Sequence, residues 1–305
     1  MSRVIVLGSA NTDLSVQVPR LPQSGETLQG SGFQTSFGGK GANQALAALY
    51  SGVETLLLAR IGTDYYGQAL FKHLQHSGLP VAGLTWDQEQ PAGLALILVD
   101  SQGNNQIVVV PGSNQNLSSA DVESFSHCLS PGDILLVQLE IPLPTVAAGL
   151  KLAKSRGLTT ILDPAPYQPL PAEILANVDI LTPNQSEAAA LAGTNPYDLQ
   201  GTEDILQGLL SKDQTLILTL GREGALVIGK SNREHVTAFQ VQARDSVAAG
   251  DAFNGALAAG LAQGKPLSQA LRLAGAAGAL CSTRPGAQAA LPSQAEIEEL
   301  AGIRF

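Results

Sequence analysis

Asp251 closes a run of small residues, Asp245-Ser246-Val247-Ala248-Ala249-Gly250-Asp251, at the mouth of an Ala-rich stretch with helical spacing. Backbone N–H groups in the first turn of a helix lack internal partners and sit at the positive end of the helix dipole. Side chains as small as those of Ala248, Ala249 and Gly250 allow a phosphate to approach such donors closely. A carboxylate there is poorly placed to bind an anion but well placed to take a proton from a hydroxyl that attacks one. The segment reads as an anion hole with a general base, Asp251, although an Asp that only caps a helix would show the same pattern.

Other polar residues gather where strand-like runs end. Gly8, Asn11 and Asp13 follow Val4 to Leu7, and Asp13 is either an acceptor for sugar hydroxyls or a turn residue. Gly38-Gly39-Lys40-Gly41-Ala42-Asn43-Gln44 opens a helical stretch; its glycines permit close backbone approach, and Asn43 offers both a donor and an acceptor to a polyol. A Gly-rich turn with a solvated Lys40 is the plainer alternative. Glu140, after Ile134 to Leu139, is a second sugar acceptor or an exposed loop acid. Asn184 and Glu187 have the spacing of a capping box, which is compatible with a place beside a metal–phosphate group. Thr219, Leu220, Gly221, Arg222, Glu223 and Gly224 form a strand end and a Gly-bounded turn suited to nucleotide phosphates or to an ordinary hairpin.

These groups need a scaffold, and the alternation of apolar strand-like runs with helical stretches supplies an α/β sheet. Strands are expected at Arg3 to Gly8, Glu54 to Gly62, Asp133 to Glu140, Thr159 to Asp163, Val178 to Thr182, Gln214 to Leu220 and Gly224 to Ile228. Helices are expected at Ala42 to Tyr50, Thr145 to Ser155 and Ala252 to Ala262. Two stretches, about 14–37 and 92–110, read instead as exposed β structure, either edge hairpins or a lid that excludes water. Gly224 to Ser231 matches the Walker A spacing, but its middle is strand-like and its end turn-like, which argues against a phosphate loop. Gly8 has no G-x-G-x-x-G companions, so dinucleotide redox chemistry is not expected.

Composition sets the surroundings. The 305 residues are 44% hydrophobic and 14% charged, and no apolar run approaches the roughly 18 residues of a membrane span. A net charge of −9 opposes broad contact with nucleic acid or anionic lipid. With no signal-peptide pattern after Met1, a cytoplasmic location is expected, and the partner is a small molecule.

Five segments resemble the ribokinase-like, or PfkB-type, carbohydrate kinase family, in order and over nearly the whole chain. They are Gly8 to Asp13, Gly38 to Ala45, Gln138 to Pro142, Thr182 to Asn184 and Ala248 to Gly255. The resemblance implies one kinase domain over 1–305, with a mostly parallel central sheet flanked by helices in a three-layer sandwich and a small projecting β-sheet lid. It implies transfer of the γ-phosphoryl group of ATP to the 5-hydroxyl of D-ribose. Same-fold kinases for 2-deoxyribose, a ketohexose or a nucleoside such as pseudouridine remain open, as does, more remotely, a sugar-binding protein without chemistry. By carry-over, Asn11, Asp13, Gly39, Lys40, Asn43 and Glu140 hold the sugar, with Asp251 as base. Asn184, Thr219 to Gly224, Gly250 and Gly275 face the nucleotide, and Glu187 helps order Mg²⁺ and its waters. A K⁺ site is implied at Asp245 and at carbonyls near Val247, Cys281, Arg284 and Gly286. At its last position, Ala290 lacks the side-chain oxygen that family members often carry, and Gly275 lacks the bulk often found beside the adenine. Relatives often pair through their lids, so a homodimer is expected, with Ala95, Ile97 and Val99 as candidates for the contact face.

Overall fold

The computed structural model describes residues 2–305. Its strands are β1 (Val4–Leu7), β2 (Asn11–Gln17), β3 (Ser31–Gly38), β4 (Thr55–Gly62), β5 (Leu84–Asp87), β6 (Gly93–Val99), β7 (Asn105–Val110), β8 (Ile134–Val137), β9 (Thr159–Leu162), β10 (Ile180–Leu181), β11 (Thr215–Thr219), β12 (Ala225–Ile228) and β13 (Arg233–Val236). Its α-helices are α1 (Lys40–Tyr50), α2 (Tyr65–His76), α3 (Ser119–Ser124), α4 (Leu143–Ser155), α5 (Ala172–Leu175), α6 (Gln185–Ala192), α7 (Leu199–Leu209), α8 (Ala249–Ala262), α9 (Leu267–Ser282) and α10 (Gln294–Ala301).

A nine-stranded sheet in the order β13-β12-β11-β10-β9-β8-β1-β4-β5 forms the middle layer. It is parallel from β11 to β5, and β12 and β13 add an antiparallel edge. Strand β1 shows why the apolar runs are continuous: all four residues are buried, Val4 and Val6 in one core, Ile5 and Leu7 in the other. The first core takes in α1, α2, α8, α9 and α10, and the second α4, α6 and α7. This is the expected three-layer α/β sandwich.

The two β excursions meet in a separate four-stranded sheet, β3-β2-β6-β7. Its β2–β3 and β6–β7 pairs are antiparallel, but β2 and β6 run parallel, so the sheet is mixed. Both faces of β7 are exposed, with Ile107, Val108, Val109 and Val110 open to solvent, as are Leu96 and Phe33. Ala95, by contrast, is buried and Ile97 and Val99 are half-buried, so the apolar residues this sheet exposes most are those of β7, Leu96 and Phe33, not the expected Ala95, Ile97 and Val99.

The Walker-like stretch is a hairpin, as its composition suggested. β12 pairs antiparallel with both β11 and β13, and Gly229 N–H bonds the Asn232 carbonyl at 3.0 Å across the turn. Two predicted strands are shorter than expected: Gln138 to Glu140 lie beyond β8, and only Ile180 and Leu181 pair in β10. In the first case the backbone leaves the ladder because Leu139 N–H bonds the Ala165 carbonyl instead, at 3.0 Å.

Helices α1 and α8 cross closely at Gly255. A Cβ there would lie 2.5 Å from the Ala47 methyl, 2.7 Å from Gln44 O and 2.8 Å from Ala48 N. Gly255→Ala is therefore expected to lose about 1–3 kcal/mol through overpacking, read from denaturant midpoints, and an unchanged midpoint would refute the tight crossing.

Candidate active site

The carboxyl ends of the parallel strands and the N-termini of α1 and α8 share one edge of the large sheet. Gly41 lets α1 begin against the β1–β2 link: a Cβ at that residue would lie 2.6 Å from Gly8 C and from Ser9 N and O. Gly39, at φ 85°, turns the chain into the helix. Helix α1 thus presents Lys40, Asn43 and Gln44 to the start of α8.

Asp251 is buried there and is held by three side chains of α1. Asn43 Nδ2 donates to Oδ2 at 2.9 Å, and Gln44 Nε2 donates to Oδ1 at 3.0 Å. The Lys40 ammonium lies 3.6 Å from Oδ1. Asn43 Oδ1 is buried with no protein partner, which is uncommon for a polar atom in a protein interior. Glu140 Oε2 accepts from Ser9 Oγ at 2.5 Å and from Lys40 N–H at 3.0 Å. Asn11 is buried, and its Oδ1 accepts from Asn114 Nδ2 at 2.7 Å. Asp13 faces Gly38, and burial, followed by the charge of Glu140, pushes its carboxyl up to about 6. The residues expected around a sugar are therefore gathered at one place.

Several participants escaped the sequence reading. Gln44 Nε2 also donates to Asp163 Oδ2 at 2.8 Å, and Lys40 Nζ lies 3.5 Å from the same oxygen. Gln138 Nε2 donates to Gln44 Oε1 at 2.6 Å, which fixes the orientation of that amide. Asn114 also accepts Ala10 N–H at 3.0 Å. Asp163 follows β9 as Glu140 follows β8, so the strand-end rule that found one applied equally to the other. Burial pushes the Asp163 carboxyl up to about 7, with Asp251 and Glu187 also raising it and Lys40 and Gln44 opposing. Burial alone would lower the Lys40 pKa, but Asp163, Asp251, Glu140 and Glu187 together raise it, so the side chain stays cationic.

At the start of α8, Ala248 adopts the left-handed conformation, φ 58°, as the only non-glycine with positive φ among the described residues. Such local strain is characteristic of functional turns. Ala249 N–H is used by the Ser246 carbonyl at 3.2 Å, while the N–H groups of Ala248, Gly250 and Asp251 have no acceptor among the described residues. A few ångströms away, Asp245 ties two loops together, accepting Val247 N–H at 3.0 Å and Gly286 N–H at 2.9 Å. The Cys281 thiol, 3.6 Å from the Val247 carbonyl, is pushed up to about 12 by burial and by Asp251 and Asp245, so it stays neutral. The Arg284 side chain turns away to pair with Glu296, and Ala290 is buried in the apolar core.

The remaining positions line the strand ends beyond. Asn184 and Glu187 form the capping box of α6, Asn184 N–H to Glu187 Oε2 at 2.8 Å and Glu187 N–H to Asn184 Oδ1 at 3.0 Å. Asn184 bridges to Thr219, and Leu220 to Gly224 close a tight turn through the 2.8 Å bond from Leu220 N–H to Gly224 O. On α9, a Cβ at Gly278 would approach Ala249 O to 3.1 Å, and Gly275 lies one turn away on the same face, beside Phe239.

Comparison with known proteins places this geometry. A model of the pfkB family carbohydrate kinases matches residues 1–294. The ribokinase of Haemophilus influenzae is 36% identical over 295 residues, covering 96% of each chain. The deoxyribokinase of Salmonella typhi is 31% identical over 97% of each. Among solved structures, Arabidopsis thaliana ribokinase complexed with ribose and ATP is 30% identical, covers 99% of each chain and superposes with a TM-score of 0.90.

The raised Asp163 carboxyl makes stability depend on pH. Its folded value, about 7, exceeds the ordinary aspartate value of 3.8, so its contribution is full below about pH 4 and is lost as pH rises through 7. The melting temperature of the wild type minus that of Asp163→Asn should therefore fall between pH 4 and 8. A flat difference would contradict the assignment.

Proposed function

The chain belongs to the pfkB family of carbohydrate kinases, and from that footing we infer that it phosphorylates ribose with ATP. The observation that carries the reading is the buried Asp251 carboxylate, held by Asn43, Gln44 and Lys40, beside the unpaired N–H groups of Gly250 and Asp251. A base and an anion hole at one helix start are what phosphoryl transfer to a hydroxyl requires.

The sugar fits between α1 and the small sheet. Asn11, Asp13, Gly39, Lys40, Asn43 and Glu140 supply hydrogen-bonding groups around it, and the 5-hydroxyl is directed at Asp251. The carboxylate takes the hydroxyl proton as the oxygen bonds to the γ-phosphorus, and the bond to ADP breaks. Ala249 N–H being taken by Ser246, the N–H groups of Ala248, Gly250 and Asp251 would face the charge that develops on the transferring group, and their fixed orientation would remove the cost of reorganising water. Asn184, Thr219 to Gly224 and Gly275 border the nucleotide. Mg²⁺, bound with ATP, neutralises phosphate charge; the second oxygen of Glu187, which its capping bond leaves free, would order the waters of that ion.

Asp245 and the carbonyls of Val247, Cys281, Arg284 and Gly286 would hold a monovalent cation, K⁺. The fit rests on the Asp245 carboxylate joining the 245–247 and 286 segments, with Ala290 contributing no oxygen. The small sheet would act as a lid over the sugar, and its exposed β7, an unpaired edge with Ile107 to Val110 open to water, would be covered by the same strand of a second copy. The setting would be cytoplasmic.

ADP release from Mg·ATP is expected with D-ribose in preference to 2-deoxyribose, fructose and pseudouridine, and faster in K⁺ than in Na⁺ buffer. Asp251→Asn should retain ATP binding and lose turnover by about 10²-fold or more. Preference for 2-deoxyribose, the sugar named for the Salmonella relative, would move the substrate within the family. Activity unchanged in Asp251→Asn would remove the base. Light scattering should give the mass of two chains, falling to one when Val108 is replaced by Lys; a wild-type monomer would end the pairing model.

A further inference from the structure

Asn114 is buried in the short turn Gly112–Asn116 that follows β7, and both ends of its amide are engaged. Its Oδ1 accepts Ala10 N–H at 3.0 Å, and its Nδ2 donates to Asn11 Oδ1 at 2.7 Å. A backbone N–H can only donate, so it fixes which end of Asn114 is oxygen and, one bond further on, which end of Asn11 is oxygen. The group left over, Asn11 Nδ2, has no acceptor among the described residues. Space is kept for the pair: β2 and β6 align Asn11 with Gly93, where a Cβ would lie 2.3 Å from both Asn11 Oδ1 and Asn114 Nδ2.

This polarity matters because the groups around the proposed sugar site are mostly acceptors. Asp13, Glu140 and Asp251 bring carboxyl groups, and Asn43 Oδ1 is buried without a partner. The neighbouring amide donors are committed, Asn43 Nδ2 to Asp251 and Gln44 Nε2 to Asp251 and Asp163. A sugar hydroxyl carries one proton and two lone pairs, so once it has donated to one of these acceptors it still calls for a donor. Asn11 Nδ2 meets that need only while its amide is held this way round. We propose that Asn114 is a positioning residue for sugar recognition, locking the Asn11 amide so that it offers the ligand a donor and never an acceptor. The proposal rests on the reading that places the sugar beside Asn11.

The test is a double-mutant cycle with Asn11→Ala and Asn114→Ala, on whichever sugar the wild type phosphorylates. It is run at about pH 8, above the value of about 6 to which burial pushes the Asp13 carboxyl. Each single variant should raise the sugar KM by about three- to tenfold, the range of one hydrogen bond, with ATP KM and kcat within about twofold of wild type. Because Asn114 acts through Asn11, the double variant should have the sugar KM of Asn11→Ala alone. A merely structural role would lower the active fraction, and with it kcat, while sparing the sugar KM. Should Asn114→Ala not fold, Gly93→Ala presses a methyl against the same pair and should give the same selective rise. An unchanged sugar KM in the folded variant, or a double variant whose KM is the product of the two single effects, would overturn the proposal. A wild-type sugar KM in Asn11→Ala is a different failure: the sugar then does not lie beside Asn11, and the proposal falls with that premise.

Discussion

A carboxylate taken out of water must be solvated by the protein, and this requirement at Asp251 organises the molecule. Its donors come from one turn of α1, Lys40, Asn43 and Gln44, and they reach it because α1 and α8 cross at a glycine. A larger residue at 255 would push against Gln44 O, the backbone of the residue that donates to the acid. Packing and chemistry therefore share the same few ångströms. Leaving such a group unpaired would cost several kcal/mol, so the crossing is fixed by electrostatics as much as by methyl contacts.

The sheet supplies the second half of the arrangement. Parallel strands end along one edge, so short turns after β1, β8 and β9 bring Ser9, Gln138, Glu140 and Asp163 together although they lie far apart in the chain. Two helix N-termini point at the same edge and carry opposite duties. That of α1 delivers cationic and amide donors to carboxylates; that of α8 leaves the N–H groups of Gly250 and Asp251 without an acceptor among the described residues. Asp251 belongs to both, its carboxylate to the acidic cluster and its N–H to the unpaired donors.

Much of this was legible in the residues. Strand β1 and helices α1, α4 and α8 fall where apolar continuity and Ala/Leu spacing put them, and the excursions at 14–37 and 92–110 do form a separate sheet. Asn43, Lys40, Glu140 and Asp251 announced themselves by sitting at helix starts and strand ends. Gln44, Gln138 and Asn114 did not, because an amide in a helix or after a strand has no local signature; its meaning lies in a partner 94 to 207 residues away, as for Gln138 with Gln44 and Gln44 with Asp251. The alternation Ala95, Ile97, Val99 marked a strand correctly but misjudged its outward face, since burial in a two-layer contact depends on what lies above the sheet. Strand β5 escaped notice because Leu84–Asp87 is too short and too mixed in polarity to show a period.

Strand β1, an inner strand of the large sheet, runs almost directly into β2, an inner strand of the small one. Between β1 and β2 lie only Gly8, Ser9 and Ala10; a Cβ at Gly8 would lie 2.1 Å from Gln138 Oε1, and Ala10 is pinned through its N–H to Asn114, which also grips Asn11. The two sheets are thus coupled mechanically in series through a three-residue axle. Any swing of the small sheet turns Asn11 and Asp13, which it carries, by the same angle relative to Asp251, which it does not. If Asn11 and Asp13 hold the sugar as proposed, grip and alignment at Asp251 are geared together, and adapting this scaffold to a longer or shorter molecule would call for resetting the axle at 8–10 and its Asn114 bearing first.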